Sequence, residues 1–253
     1  MSINFSPLGE AAILVSFGST IAPAVHDAVR SFSYALERQP FAGMTEYIAA
    51  YTSVTIFYDP VVLAKETLLN PEEGVPYSYQ VAKLKAEAIV RSIDDKGGKS
   101  ADARVVRVPV CYGGEYGPDL ADVARYHKMT EQDVIETHTS GDYLIYMIGF
   151  APGFPYVGGL PKSIATPRKK SPRLIIPEGS VGIAGEQTGI YPIATPGGWQ
   201  LIGRTPLSLF RPDDDDDPTL LHAGDKLEFY AITADEYDEI KRAEDAKKGG
   251  DAS

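Results

Sequence analysis

A chain of 253 residues is long enough for one or two domains, and its 43% hydrophobic content supplies a normal buried core. The net charge of −11 repels phosphate backbones and argues against nucleic-acid binding. The one cysteine, Cys111, rules out an internal disulfide and gives no sign of an oxidising compartment.

The opening MSINFSPLGE has neither a basic n-region nor an apolar h-region, so it is not read as a signal peptide. No apolar run approaches the ~20 residues of a membrane span. The expectation is a soluble, cytoplasmic protein with no membrane or nucleic-acid partner.

Ala11–Phe17 (AAILVSF) is a short apolar run between Gly9 and Gly18 and predicts a buried strand. Pro23 suits a first helical position, and Val25, Val29, Phe32 and Leu36 then recur on one helical face. Pro40 and Gly43 end that helix. Glu46–Ala50 and Ser53–Tyr58 predict two strands, and Tyr79–Ile93 a second helix with Val81, Leu84 and Ala88 on one side. This β-α-β-β-α order suggests a small ferredoxin-like α/β domain over residues 1–93. Residues 94–103 (DDKGGKSADA) lack large apolar side chains and predict a linker.

Residues 104–232 predict a second domain that opens on the alternating strand Arg104–Val110. Short helices follow at Asp119–Tyr126 and Glu131–Thr137, the second capped by Thr130 and Asp133. Tyr143–Ile148 predicts a strong strand. Beyond it come short β segments between Gly/Pro turns: 174–176, 180–184, 189–193, 199–205, 207–210 and 226–231. That density predicts a barrel or sandwich. Asp213–Asp217 is read as a solvated loop, since it lacks EF-hand spacing. Residues 233–253 predict a short terminal helix, capped by Thr233 and Glu236, and a disordered tail.

Gly149–Pro206 is the most informative stretch. It holds 11 of the 24 glycines and 9 of the 19 prolines, without repetition. Glycine permits close approach and positive φ, and proline fixes φ, so this density builds a rigid irregular surface of the kind that carries sites. Within it, Arg168 and Arg173 follow prolines with Lys169 and Lys170 between them, and Arg204 follows Gly203. A basic cluster in so acidic a chain suits a carboxylate, carbamate or phosphate; the alternative is surface charge, or arginines on loop carbonyls. Phe150, Phe154, Tyr156, Tyr191 and Trp199 lie among the turn formers. They line a pocket or form barrel core, the core being preferred for Phe150 and Trp199. Gln187 and Thr188 are candidate readers of a small polar ligand.

Several chemistries lack their motifs. There is no P-loop, no Gly-x-Gly-x-x-Gly, no Gly-x-Ser-x-Gly and no His-Glu-x-x-His. The four histidines (His26, His127, His138, His222) are scattered, so no metal site is expected.

The blocks VPVCYGGEYGPDL, the His138 and Tyr143 pair, GFAPGFPYVGGL, TPRKKSPR, GSVGIAGEQTGIYP and TPGGWQLIGRTP, in that order, resemble the allophanate hydrolase subunit 1 family. LGEAAILVSFG and HAGD also fit it. That family includes the B component of 5-oxoprolinase and the sporulation-kinase inhibitor KipI. The resemblance implies a cyclophilin-like β-barrel for the second domain. It also implies work alongside an allophanate hydrolase subunit 2-type protein (the C component of 5-oxoprolinase) and a lactam-utilisation protein (its A component). The implied reaction opens 5-oxo-L-proline to L-glutamate with ATP, which the complex or a companion protein binds. Alternatives within the resemblance are inhibition of a sensor histidine kinase and a carboxyltransferase-like role in allophanate hydrolase or urea carboxylase. On the enzyme reading, Arg168, Arg173 and Arg204 hold carboxylate or phosphoryl oxygens, and His138, Gln187 and Tyr191 position water or the lactam.

Overall fold

The computed structural model describes residues 3–95, 104–214 and 217–250, and the chain divides into two compact units, Met1–Asp102 and Ala103–Ser253. The expected linker at 94–103 falls mostly outside the described residues.

In the first unit, four antiparallel strands lie in the order β1-β2-β4-β3: β1 (Asn4–Pro7), β2 (Ala12–Ser16), β3 (Met44–Ala49) and β4 (Ser53–Tyr58). Alternation decides which face is buried. Ile13 and Val15 on β2 join Val54, Ile56 and Tyr58 on β4 in the core. Helix α1 (Pro23–Arg38) buries His26, Val29, Phe32 and Leu36, and Phe32 meets Phe17 with ring centroids 5.3 Å apart. A short helix α2 (Pro60–Leu63) is capped by Asp59, whose carboxylate accepts from Val61 N at 2.8 Å.

Two details differ from the sequence expectation. The polar-looking β1 adds a strand, pairing Phe5 with Val15. Helix α3 (Tyr77–Asp95) buries Val81, Ala82, Ala86 and Ile89, while Leu84 and Ala88 face solvent. The alanines bring the helix close to the core, so the larger Leu84 is turned away.

The second unit is built around a closed seven-stranded barrel in the order β10-β7-β6-β13-β5-β12-β9. Its strands are β5 (Val105–Tyr112), β6 (Tyr143–Ile148), β7 (Pro155–Gly158), β9 (Ser180–Ala184), β10 (Gln187–Ile190), β12 (Gln200–Arg204) and β13 (Lys226–Ile232). Closure leaves no barrel edge exposed. β13 runs parallel to β5, from Lys226 opposite Val105 to Ile232 opposite Cys111. Asp225 fixes that register: it takes Arg104 Nε at 3.0 Å and Nη2 at 2.5 Å, and His222 N at 2.8 Å.

The barrel interior holds Val108, Val110, Ile145, Val157, Val181, Ile183, Ile190, Ile202, Leu227 and Phe229. Helices α4 (Leu120–His127) and α5 (Glu131–Thr139) contribute Leu120, Val123 and Val134. The expected cap of α5 forms in full, with Thr130 and Asp133 bonding reciprocally. A separate two-stranded antiparallel sheet pairs β8 (Arg173–Ile176) with β11 (Thr195–Gly197).

Three expectations change here. Leu207–Phe210 is not a strand and makes one isolated bridge, Phe210 to Thr219. β7 and β11 are additional strands, each only three or four residues long. The terminal helix α6 (Ala234–Gly250) is long, not short, with Thr233 and Glu236 as its cap. Residues 215 and 216 of the acidic run and 251–253 of the tail lie outside the described residues. No described helix is long and apolar enough to cross a membrane, and no described group of three or more His, Cys, Asp or Glu can hold a metal.

Candidate functional site

The outer face of β9 and β10 explains the glycine density. Val181, Ile183, Thr188 and Ile190 point into the barrel or are sealed within it, which leaves Gly182 and Gly189 on the outer side. The Trp199 ring lies across them. A Cβ at Gly182 would stand 3.1 Å from Trp199 Cβ, and one at Gly189 3.0 Å from Cζ3. Gly197 is tighter still, since its Cβ would meet Tyr191 Oη at 2.5 Å and Ile176 Cδ1 at 2.6 Å.

On this floor Phe154 meets Tyr191 at 5.7 Å, Trp199 at 5.8 Å and Tyr156 at 5.3 Å, all edge to face. With Ile176, Ala184 and Leu201 these rings form a satellite core. Phe154, Tyr191 and Trp199 are nearly buried, so they fill the space between one another and leave Tyr156 partly exposed. Phe150 does not join the core: it is 71% exposed, with a centroid 5.4 Å from Phe154. Burial holds the Tyr191 phenol up at about 12, although Arg168, the Trp199 N–H and Arg173 pull the other way. Tyr191 is therefore a neutral hydroxyl at ordinary pH.

Beside the rings stands a carboxylate that the sequence analysis did not single out. Asp119, at the start of α4, is 2% exposed. Its Oδ1 accepts from Lys169 Nζ at 2.6 Å and Arg173 Nη2 at 2.8 Å, and its Oδ2 from Leu201 N at 2.8 Å. Burial alone would raise its pKa; the bonds from Arg173, Lys169 and Leu201 outweigh that and hold it below the usual carboxylate range. Asp119 lies within the block GPDL, where the sequence predicts only the start of a helix.

The segment carrying the cations is strapped down. Lys169 N donates to Gly198 O at 2.7 Å, Gln200 Nε2 to Pro167 O at 2.9 Å, and Gly185 N to Thr166 O at 2.7 Å. Arg168 and Lys170 are exposed, and their side chains have no hydrogen-bond or ion-pair partner among the described residues. Arg168 and Arg173 both act on Tyr191. Arg204 has other neighbours: its guanidinium sits 5.8 Å over the Tyr116 ring, and its charge acts on Tyr237 of α6. Gln187 begins β10, half-buried opposite Ala184.

His138 lies inside the second unit, fully buried. Its Nε2 is 3.0 Å from Thr188 Oγ1, and its Nδ1 2.8 Å from Tyr112 Oη. Thr188 gives its own proton to Gly182 O at 3.1 Å, so it must accept from Nε2–H. Nδ1 then accepts from Tyr112. Every hydrogen-bonding position of the ring is used, and desolvation pushes its pKa down to about 3. This imidazole has no free position for a substrate.

The profile of the family described as carboxyltransferase domain, subdomain C and D, matches residues 3–221. The chain belongs to this family. It is 47% identical to the B component of 5-oxoprolinase from Bacillus subtilis, covering 92% of this chain and 95% of that one. It is 39% identical to the protein of the same name from Escherichia coli O157:H7, covering 88% and 93%. Among solved structures, TTHA0988 is 30% identical with a TM-score of 0.70; the match covers 88% of this chain and only 40% of that polypeptide.

Proposed function

We propose that this chain is the B component of an ATP-dependent 5-oxoprolinase, a complex that opens 5-oxo-L-proline to L-glutamate. The end-to-end identity of 47% with a protein of that name carries the proposal. A C-component protein of the allophanate hydrolase subunit 2 type and a lactam-utilisation A component are the proposed companions, in the cytoplasm. ATP is assigned to the complex or a companion, and the isolated chain is expected to be inactive. On the same reading the barrel is cyclophilin-like and the first unit ferredoxin-like.

The chemistry suits the residues. A five-membered lactam is a poor electrophile; phosphorylation of its amide oxygen would activate the ring carbon towards water. The C–N bond would then break with the nitrogen leaving as the amine, and the resulting acyl phosphate would be hydrolysed to the carboxylate and phosphate. Cations near the developing charge favour this. We assign Arg168 and Arg173 to that role, with Lys169 beside them. Asp119 acts as a positioning residue, fixing where Lys169 and Arg173 stand. Tyr191, Gln187 and the ring cluster shape the neighbouring wall. His138 and Arg204 are assigned to holding the barrel and α6.

The test is glutamate release from 5-oxoproline by the co-purified components with ATP. Omitting this chain is expected to abolish turnover, and adding it back to restore it. Equal rates with and without the chain would overturn the proposal.

A further inference from the structure

The side of the second unit around β8 is unusual in three independent ways. Leu174 and Ile175 are adjacent on β8 and 88% and 71% exposed, although Ile176 beside them is fully buried in the ring cluster. Soluble proteins keep such apolar side chains in water mainly where something else covers them. Phe150 is also 71% exposed, and it holds φ at +68°, a region a bulky side chain rarely adopts. Gly149 N to Phe154 O at 3.0 Å and Phe154 N to Ala151 O at 3.0 Å close the turn that aims it outward. Finally, Arg168 and Lys170 have no ion-pair partner among the described residues, on a chain of net charge −11.

A continuous chain of contacts links these features. Phe150 touches Phe154, and Phe154 touches Trp199. Gly197 and Gly198, next to Trp199, meet Arg173 of β8 and the backbone of Lys169. The local charge is also uneven: Asp119 offsets part of Lys169 and Arg173, and no described carboxylate pairs with Arg168 or Lys170.

We propose that Phe150, Leu174 and Ile175, rimmed by Arg168 and Lys170, form the docking surface for a separate polypeptide with an apolar centre and an acidic rim. The occupant is the C-component companion. In TTHA0988 the matched part is 40% of one polypeptide, so there it is covalently joined to further chain, whereas the Bacillus subtilis B component is matched over 95% of its length. Charge complementarity selects an acidic partner even though the chain as a whole repels one. The identity of the occupant rests on the B-component proposal; the surface rests on the exposure, the strain and the two cations.

The experiment measures binding of the full chain to the purified C-component protein at low and high salt. Leu174→Asp is expected to weaken binding at least ~10-fold, as loss of a central apolar anchor does. Arg168→Glu with Lys170→Glu is expected to slow association and flatten its salt dependence. Leu69→Asp, at a 95% exposed site in the first unit, is the control and should bind as the parent does. Leu174→Ser is the milder variant, and the fluorescence of Trp199, the single tryptophan, checks folding of the second unit. Binding within ~2-fold of the parent for both Leu174→Asp and the double charge reversal would overturn the surface. So would self-association that Leu174→Asp abolishes, since the occupant would then be a second copy. A complex that needs Leu174 but turns over no 5-oxoproline would leave the surface standing and remove the enzyme role. Normal turnover with Leu174→Asp would do the reverse.

Discussion

Acidification should destabilise the second unit through His138, and the size of the effect follows from its burial. The folded ring has a pKa of about 3, against 6.5 for an ordinary histidine. A depressed histidine pKa means that the unfolded state takes up the proton first. Its stabilising effect is therefore complete above 6.5 and is lost as pH falls from there towards 3. Linkage gives a loss of about 2 kcal/mol between about pH 7 and pH 5, because the unfolded imidazole is almost fully charged at the lower value. Carboxylates that titrate in the same range add their own slope, so the comparison must be with a variant. His138→Gln keeps an amide near the Tyr112 and Thr188 hydroxyls but cannot titrate. It should be less stable than the parent at both pH values. Its loss between them should be smaller by about 2 kcal/mol. Urea unfolding followed by Trp199 fluorescence reads this unit specifically. Identical pH slopes for parent and variant would mean that His138 is protonated in the folded barrel, and the deduced hydrogen-bond chain would be wrong.

Three further outcomes are expected. Asp119→Ala leaves Lys169, Arg173 and Leu201 N without their shared acceptor and should lower unfolding stability by about 3 kcal/mol, measured by urea titration. Asp119→Asn keeps an acceptor and should cost less. Gly197→Ala drives a methyl group into Tyr191 Oη and Ile176 and should cost about 1–3 kcal/mol, with a change in Trp199 emission as the ring cluster shifts. Thr130→Ala removes the α5 capping box and should cost about 1 kcal/mol, read as a lower midpoint with an unchanged m-value.

Patterns of short range were legible in the sequence. The face of α1, the alternation of β4, the α5 cap and the change from helical periods to turn-bounded strands depend on neighbours within a few residues, and those neighbours are written side by side. The family blocks around Gly149–Pro206 were legible for the same reason, as fixed backbone shape needs particular residues at particular places. Asp119 was not, because its partners Lys169, Arg173 and Leu201 lie 50 to 82 residues away and only barrel closure brings them together. The same holds for His138, whose isolation from solvent depends on Tyr112 and Thr188 from two other strands. It holds also for Leu174 and Ile175, which read as ordinary strand residues until packing left them outside. A side chain's chemistry is set by sequence, but its charge state and exposure are set by what the chain folds against it.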